Sequence, residues 1–226
     1  MAFFKRYFSE KRKIRVILIH GFSVRGSSEM DPLFTYLKNE GYDVVAPNLF
    51  DWKNEKDNDW LVWVGHARKE FEKAKSEGKE IFVVGYSMGG VVATYLSTIF
   101  TVKKLVLLAP AFEYRTLATA KRTLGSFLSN DKNIDSMPLA LHFPFMSLVD
   151  ELGNSIEALK TPVLMIQGSE DQTIPQVVAK RSYKKIAHEN KNLIIIEDAS
   201  HRLLDDEISK DLTLGLVSVF FDKSMM

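Results

Sequence analysis

The sequence contains no cysteine and only five histidines. The first absence excludes disulfides and thiolate metal sites, and it suits a reducing compartment, here read as the cytoplasm. The second confines any imidazole chemistry to five positions. An excess of one charge is missing too. Lys and Arg number 30 against 29 Asp and Glu, a formal net charge of +1, so no basic face points to nucleic acid. The first apolar run, Val16 to Ile19, falls far short of the roughly 20 residues that span a bilayer. No histidine and carboxylate spacing such as H-E-x-x-H suggests a metal. The opening "MAFFKRYFSEKRKIR" has no apolar stretch of about 7–15 residues behind its charges, so it does not read as a signal peptide. It reads as an edge strand or solvated arm. The alternative is that Lys5, Arg6, Lys11, Arg12 and Lys13 rest on an anionic membrane surface, without stable insertion.

What is present is an ordinary globular composition, 46% hydrophobic and 26% charged over 226 residues, enough for one large α/β domain. Six apolar runs of strand length recur: Val16–His20, Tyr42–Leu49, Ile81–Tyr86, Lys104–Pro110, Pro162–Gly168 and Asn192–Asp198. They do not alternate with polar residues, as expected for strands covered on both faces of a parallel sheet. Helical periodicity marks Glu29–Asn39, Trp60–Ser76, Met88–Phe100, Gln176–His188 and Leu203–Phe221. Strand and helix alternate, which predicts a mostly parallel, doubly wound sheet of about six to seven strands with helices on both faces.

One stretch breaks the alternation. Between Ala111 and Glu157 no strand is predicted, although Phe112, Tyr114, Leu124, Phe127, Leu128, Phe143, Phe145 and Met146 are spread through it. Pro138 and Pro144 are expected to divide it into short helical pieces. Residues 112–156 therefore read as a small cap inserted in the single domain, with an added structural layer as the alternative. As a cap, it would contribute Phe112, Phe143 and Phe145 to an acyl pocket alongside Phe22.

The chemistry centres on "IFVVGYSMGG", Ile81 to Gly90. Gly85-Tyr86-Ser87-Met88-Gly89 matches G-x-S-x-G where a strand turns into a helix, the setting that makes the pattern meaningful. A turn that sharp strains the serine backbone and leaves no room for bulk two residues to either side. It also holds the Ser87 hydroxyl clear of the sheet, at the positive end of a helix. A serine hydroxyl becomes a good nucleophile only beside a base, and the base needs an orienting partner.

Among the histidines, His66 and His188 read as surface groups, and His142 lies in the candidate cap. His20 ends the first strand. His201, in "EDASHRLL" after the last strand, is placed to reach Ser87, because loops at the carboxyl ends of parallel strands converge. "IQGSEDQTIP" offers Glu170 and Asp171 as the orienting acid. Glu113 is a weaker alternative, and Asp198 and Asp205 read as loop and cap residues. For a developing oxyanion the donors are the backbone N–H of Met88 and that of Phe22 in "HGFSVRGS". His20 then buttresses the loop by hydrogen bonds, without taking a proton.

The motifs "LIHGF", "GYSMGG", "QGSEDQTIP" and "ASH", in that order, resemble the α/β-hydrolase superfamily, in particular small bacterial carboxylesterases and monoacylglycerol-lipase-like serine hydrolases. The likeness runs from about Ile14 to Phe221. It implies Ser87 as nucleophile, Asp171 as acid, His201 as base, and Phe22 and Met88 as oxyanion donors. It implies no cofactor, and a small-molecule acyl ester of short to medium chain as substrate. The chain departs from fuller members in its short N-terminus, where at most one edge strand fits before Ile14. The same residues would also serve a thioesterase, an amidase, a carbon–carbon hydrolase or a perhydrolase. A catalytically silent binding module on the same fold is the alternative outside catalysis.

Overall fold

The computed structural model describes residues 11–113 and 137–222. Six strands form one sheet: β1 (Ile14–Ile19), β2 (Asp43–Val45), β3 (Glu80–Tyr86), β4 (Val102–Leu108), β5 (Val163–Gly168) and β6 (Lys191–Ile196). Every pairing is parallel, in the order β2-β1-β3-β4-β5-β6. The chain places β2 on one side of β1 and β3 on the other. The connections therefore diverge above the carboxyl ends of β1 and β3, leaving a crevice there.

The absence of alternation in the strands has a direct cause. On β1, Ile17 and Ile19 pack into one buried cluster while Val16 and Leu18 pack into another, on the opposite face. β4 divides likewise, with Leu105 and Leu107 on one side and Val106 and Leu108 on the other. The first cluster is closed by α2 (Trp60–Ser76), α3 (Met88–Ile99) and α4 (Leu139–Leu152) through Trp63, Phe71, Leu96, Phe145 and Leu148. The second is closed by α1 (Asp31–Asn39) and α6 (Lys210–Asp222), through Leu33, Leu37, Val217 and Phe221. Helix α5 (Gln176–Lys185) follows β5. At the lower edge the buried Arg15 donates to Asp43 at 2.7 Å and to Glu77 at 2.9 Å, tying β1 to β2 and to the end of α2.

Several boundaries differ from those read in the sequence. The second strand covers only Asp43–Val45, because among the described residues β1 is its sole partner and pairing stops at Ile17↔Val45. Glu29 lies in a 3-10 turn, Gly26–Met30, and α1 begins at Asp31 with Pro32 in its first turn, where a missing N–H is harmless. Helix α5 ends at Lys185 as Ile186 turns extended. The last helix starts at Lys210, not Leu203. The Asp206 side chain accepts the N–H groups of Ser200 and Ile208 and holds the intervening chain in turns.

Pro144 also departs from expectation: it is buried inside α4, which continues through it from Leu139 to Leu152. The expected edge strand before Ile14 falls mainly on residues outside those described, as do Tyr114, Leu124, Phe127 and Leu128 of the candidate cap. Among the described residues, no helix is long and apolar enough to cross a membrane.

Candidate active site

Ser87 leaves β3 with φ 51° and ψ −117°, a conformation that costs free energy for a residue with a side chain. Three backbone hydrogen bonds hold it: Ser87 N–H to the Leu108 carbonyl at 2.8 Å, and its own carbonyl accepting from Gly90 at 3.0 Å and Ala111 at 3.1 Å. The flanking glycines answer to close approach. A Cβ on Gly85 would stand 2.7 Å from the Cβ of Ala93, and one on Gly89 2.5 Å from the His20 carbonyl oxygen. Ser87 occupies the N-cap position of α3 but makes no side-chain capping bond. Its hydroxyl is not spent on the helix. Met88 opens α3, where the first donors have no intrahelical acceptor.

The loop after β5 supplies a carboxylate. Asp171 is buried, and its Oδ1 accepts the N–H groups of Thr173 at 2.8 Å and Ile174 at 2.7 Å. Its Oδ2 accepts from Gln167 Nε2 and from His201 Nδ1, both at 2.7 Å. With Nδ1 donating to the carboxylate, the neutral ring presents its lone pair at Nε2. Glu170 is exposed, Glu113 pairs with Arg181 at 3.1 Å, and Asp205 pairs with Arg25 and Arg202. None of these three carboxylates is hydrogen-bonded to His201.

The loop after β1 is built around a buried imidazole. His20 Nδ1–H donates to the Gly21 carbonyl at 2.7 Å, while Nε2 accepts the Leu49 N–H at 2.9 Å. Burial pushes its pKa down to about 4, against the opposing effect of the Gly21 hydrogen bond, so the ring is neutral. Glu29 Oε2 accepts the Gly21 N–H at 2.8 Å. Among the described residues the next N–H, of Phe22, donates to no group. The Phe22 ring stacks on Phe145 at 4.7 Å and meets His142 edge-on at 5.1 Å.

Of the other expected pocket residues, Phe112 and Phe145 are buried in the core cluster behind this loop. Phe143 is 73% exposed, a correction with a simple cause: residues two apart on a helix face opposite ways. The histidines read as surface groups also differ. His66 Nδ1 lies 2.8 Å from the Leu49 carbonyl, and both ring nitrogens of His188 are buried with no hydrogen-bond partner among the described residues.

The sequence reading missed three residues. Tyr86, just before the serine, donates its hydroxyl to the His201 carbonyl at 2.5 Å and stacks on that ring. Burial, then the charges of Glu29, Asp205 and Asp171, push its phenol pKa upward, so it stays a neutral donor. Gln167 and Glu29 are the other two. Tyr86 and Gln167 sit inside quoted motifs, the only signal they carried. Among the described residues no group of three or more His, Asp or Glu is placed to hold a metal ion.

Known proteins share this arrangement of elements. The chain is 23% identical to a thermostable monoacylglycerol lipase of Bacillus sp. (strain H-257), with 86% of this chain and 85% of that protein covered. It is 22% identical to a carboxylesterase of Bacillus subtilis (strain 168), with 92% of each covered. A solved structure from work on two metagenome-derived lipolytic enzymes, LipS and LipT, superposes with a TM-score of 0.78 at 18% identity, covering 94% of this chain and 95% of the other. A family model described as serine aminopeptidase, S33, matches residues 126–208. The alpha/beta hydrolase family model matches residues 16–149, more than half the chain and the part that carries the strained serine and the loop facing it. By that match, and with a six-stranded parallel sheet beneath the serine, the chain belongs to the alpha/beta hydrolase family.

Proposed function

We propose that the protein is a serine hydrolase that cleaves short- to medium-chain acyl esters through an acyl-enzyme intermediate. The observation that carries the reading is the 2.7 Å bond from His201 to Asp171, on the base that Tyr86 ties to the strand end bearing Ser87. In this mechanism Ser87 Oγ attacks the ester carbonyl carbon as its proton passes to His201 Nε2. Asp171 keeps the proton-bearing Nδ1 turned inward and stabilises the imidazolium. The N–H groups of Phe22 and Met88 receive the oxyanion, and removing such a donor typically costs on the order of 10²–10³ in turnover. Collapse expels the alcohol, which takes the proton from His201. Water, deprotonated by the same nitrogen, then attacks the acyl ester on Ser87 and releases the acid. No cofactor takes part in these steps.

The curated relatives named as a lipase and a carboxylesterase support an ester as the bond cleaved. In this reading Phe22, Phe112 and Phe145 lie at the acyl side and Phe143 faces solvent, while residues 114–136 of the candidate cap lie outside the described residues. A panel of p-nitrophenyl esters, acyl-thioesters and anilides, run with wild type and Ser87→Ala, tests it. Ester turnover should exceed the others and fall on the order of 10⁴–10⁶-fold in Ser87→Ala. A phosphonate should label one serine, Ser87; labelling elsewhere would overturn the assignment.

A further inference from the structure

Glu29 is an acidic side chain beside the site that the mechanism above does not use. Its carboxylate accepts the Gly21 N–H at 2.8 Å, while His20 Nδ1–H donates to the Gly21 carbonyl at 2.7 Å. These two bonds act on consecutive peptide planes. The carbonyl held by His20 shares its plane with the Phe22 N–H, and the N–H held by Glu29 belongs to the plane before it. Two side chains thus fix the direction in which the Phe22 N–H points. Glu29 also lies close to the serine. Its Oε2 and the Ser87 Cβ are each 3.1 Å from the point a Cβ on Gly21 would occupy.

The charged and titratable groups facing Glu29 come from three directions. His201 and Arg25 favour its ionised form, Asp205 opposes it, and the Tyr86 phenol feels its charge. Burial outweighs the favourable partners and raises the pKa of the carboxyl. Asp205 is itself paired with Arg25 and Arg202, so part of its charge is offset.

We propose that Glu29 is a positioning residue of the hydrolytic site: it clamps the Gly21 peptide so that the Phe22 N–H faces the reacting oxygen. The proposal rests on the serine-hydrolase reading above.

The test compares Glu29→Gln and Glu29→Leu with wild type and Ser87→Ala, on one p-nitrophenyl ester, with kcat and KM determined separately. Glu29→Leu should lose kcat roughly 10- to 100-fold with KM within about twofold, since the lost interaction orients a donor used in the transition state. Glu29→Gln keeps an acceptor for Gly21 and should recover most of that loss. Wild-type kcat in a folded Glu29→Leu overturns the clamp. A kcat of Glu29→Gln no better than that of Glu29→Leu also overturns it, and a Glu29→Gln kcat roughly 10-fold or more below wild type decides alone if the leucine variant does not fold. Absence of Ser87-dependent turnover in wild type overturns the hydrolase reading itself, and this role with it.

Discussion

The hydroxyl of Tyr86 donates to the backbone carbonyl of His201 at 2.5 Å, joining residues 115 positions apart in the chain. The bond links the end of β3 to the loop after β6, two strands that are not neighbours in the sheet. Tyr86 immediately precedes the serine, so the candidate nucleophile and base share a mechanical connection that neither side chain makes itself. The aromatic contact, with ring centroids 5.6 Å apart, reinforces it.

Tyr86→Phe keeps the ring stacking and removes the hydroxyl. Stability should fall by about 1 kcal/mol, the net worth of one hydrogen bond. Turnover should drop further, on the order of tenfold, as the base loosens relative to the serine. Denaturant titration beside steady-state kinetics separates the two effects. Unchanged kcat would show that the loop carrying His201 is held by its other contacts.

Asp171→Asn should lower turnover by roughly 10⁴, because an amide can donate to Nδ1 and so favour the wrong tautomer. Glu170→Gln, on an exposed neighbour, should change it little. Reversal of the two would reassign the acid to Glu170. Gln167→Leu offers a milder probe, since the carboxylate keeps its other three hydrogen bonds.

His20 predicts an acid-side stability loss. The folded protein binds a proton on this ring only near pH 4, whereas an unfolded chain does so near its ordinary 6.5. Between those values the unfolded state holds more protons, so stability is full above pH 6.5 and falls as pH drops towards 4. The contribution is on the order of 3 kcal/mol. Urea unfolding of wild type and His20→Gln across that range should show a shallower slope in the variant. Parallel slopes would mean that other groups carry the acid sensitivity.

Phe145→Ala and Phe143→Ala should behave oppositely although the residues are two apart. The first removes a buried ring stacked on Phe22 and should cost about 3–5 kcal/mol. The second, exposed, should stay within about 0.5 kcal/mol. In the proposed site, Phe145→Leu should move the acyl-length optimum while acetate turnover survives, and Phe143→Ala should leave the optimum in place. A p-nitrophenyl ester series from acetate to decanoate reads this directly.

How much of this was legible before folding depends on the distance over which each cause acts. The strained serine was legible because most of its causes lie close along the chain: a buried strand, a helix start, and Gly85, where a Cβ would meet Ala93, although Gly89 answers to the distant His20 carbonyl. The double-sided sheet was legible because unbroken aliphatic runs leave no polar face to expose. The resemblance to the hydrolase family favoured Asp171 over Glu170, since its spacing to Ile174 and Pro175 is like that family's pattern, and Asp171 lies 2.7 Å from His201.

Other features were decided only in three dimensions. The start of α6 was not legible, since the side chain of Asp206 competes with the helix that the apolar pattern favours. Nor was the contrast between Phe143 and Phe145, which share a face in a strand and oppose one another in a helix. The sequence alone determined the elements and the strained turn, because backbone preference and side-chain periodicity act over a few residues. Only the tertiary structure decided that Glu29, Tyr86 and Gln167 gather around Gly21, His201 and Asp171. That gathering follows from the strand order β2-β1-β3-β4-β5-β6, which brings the ends of β1, β3 and β5 and the loop after β6 to one rim of the sheet. Side chains distant in sequence meet there at hydrogen-bonding distance, and no local pattern encodes that meeting.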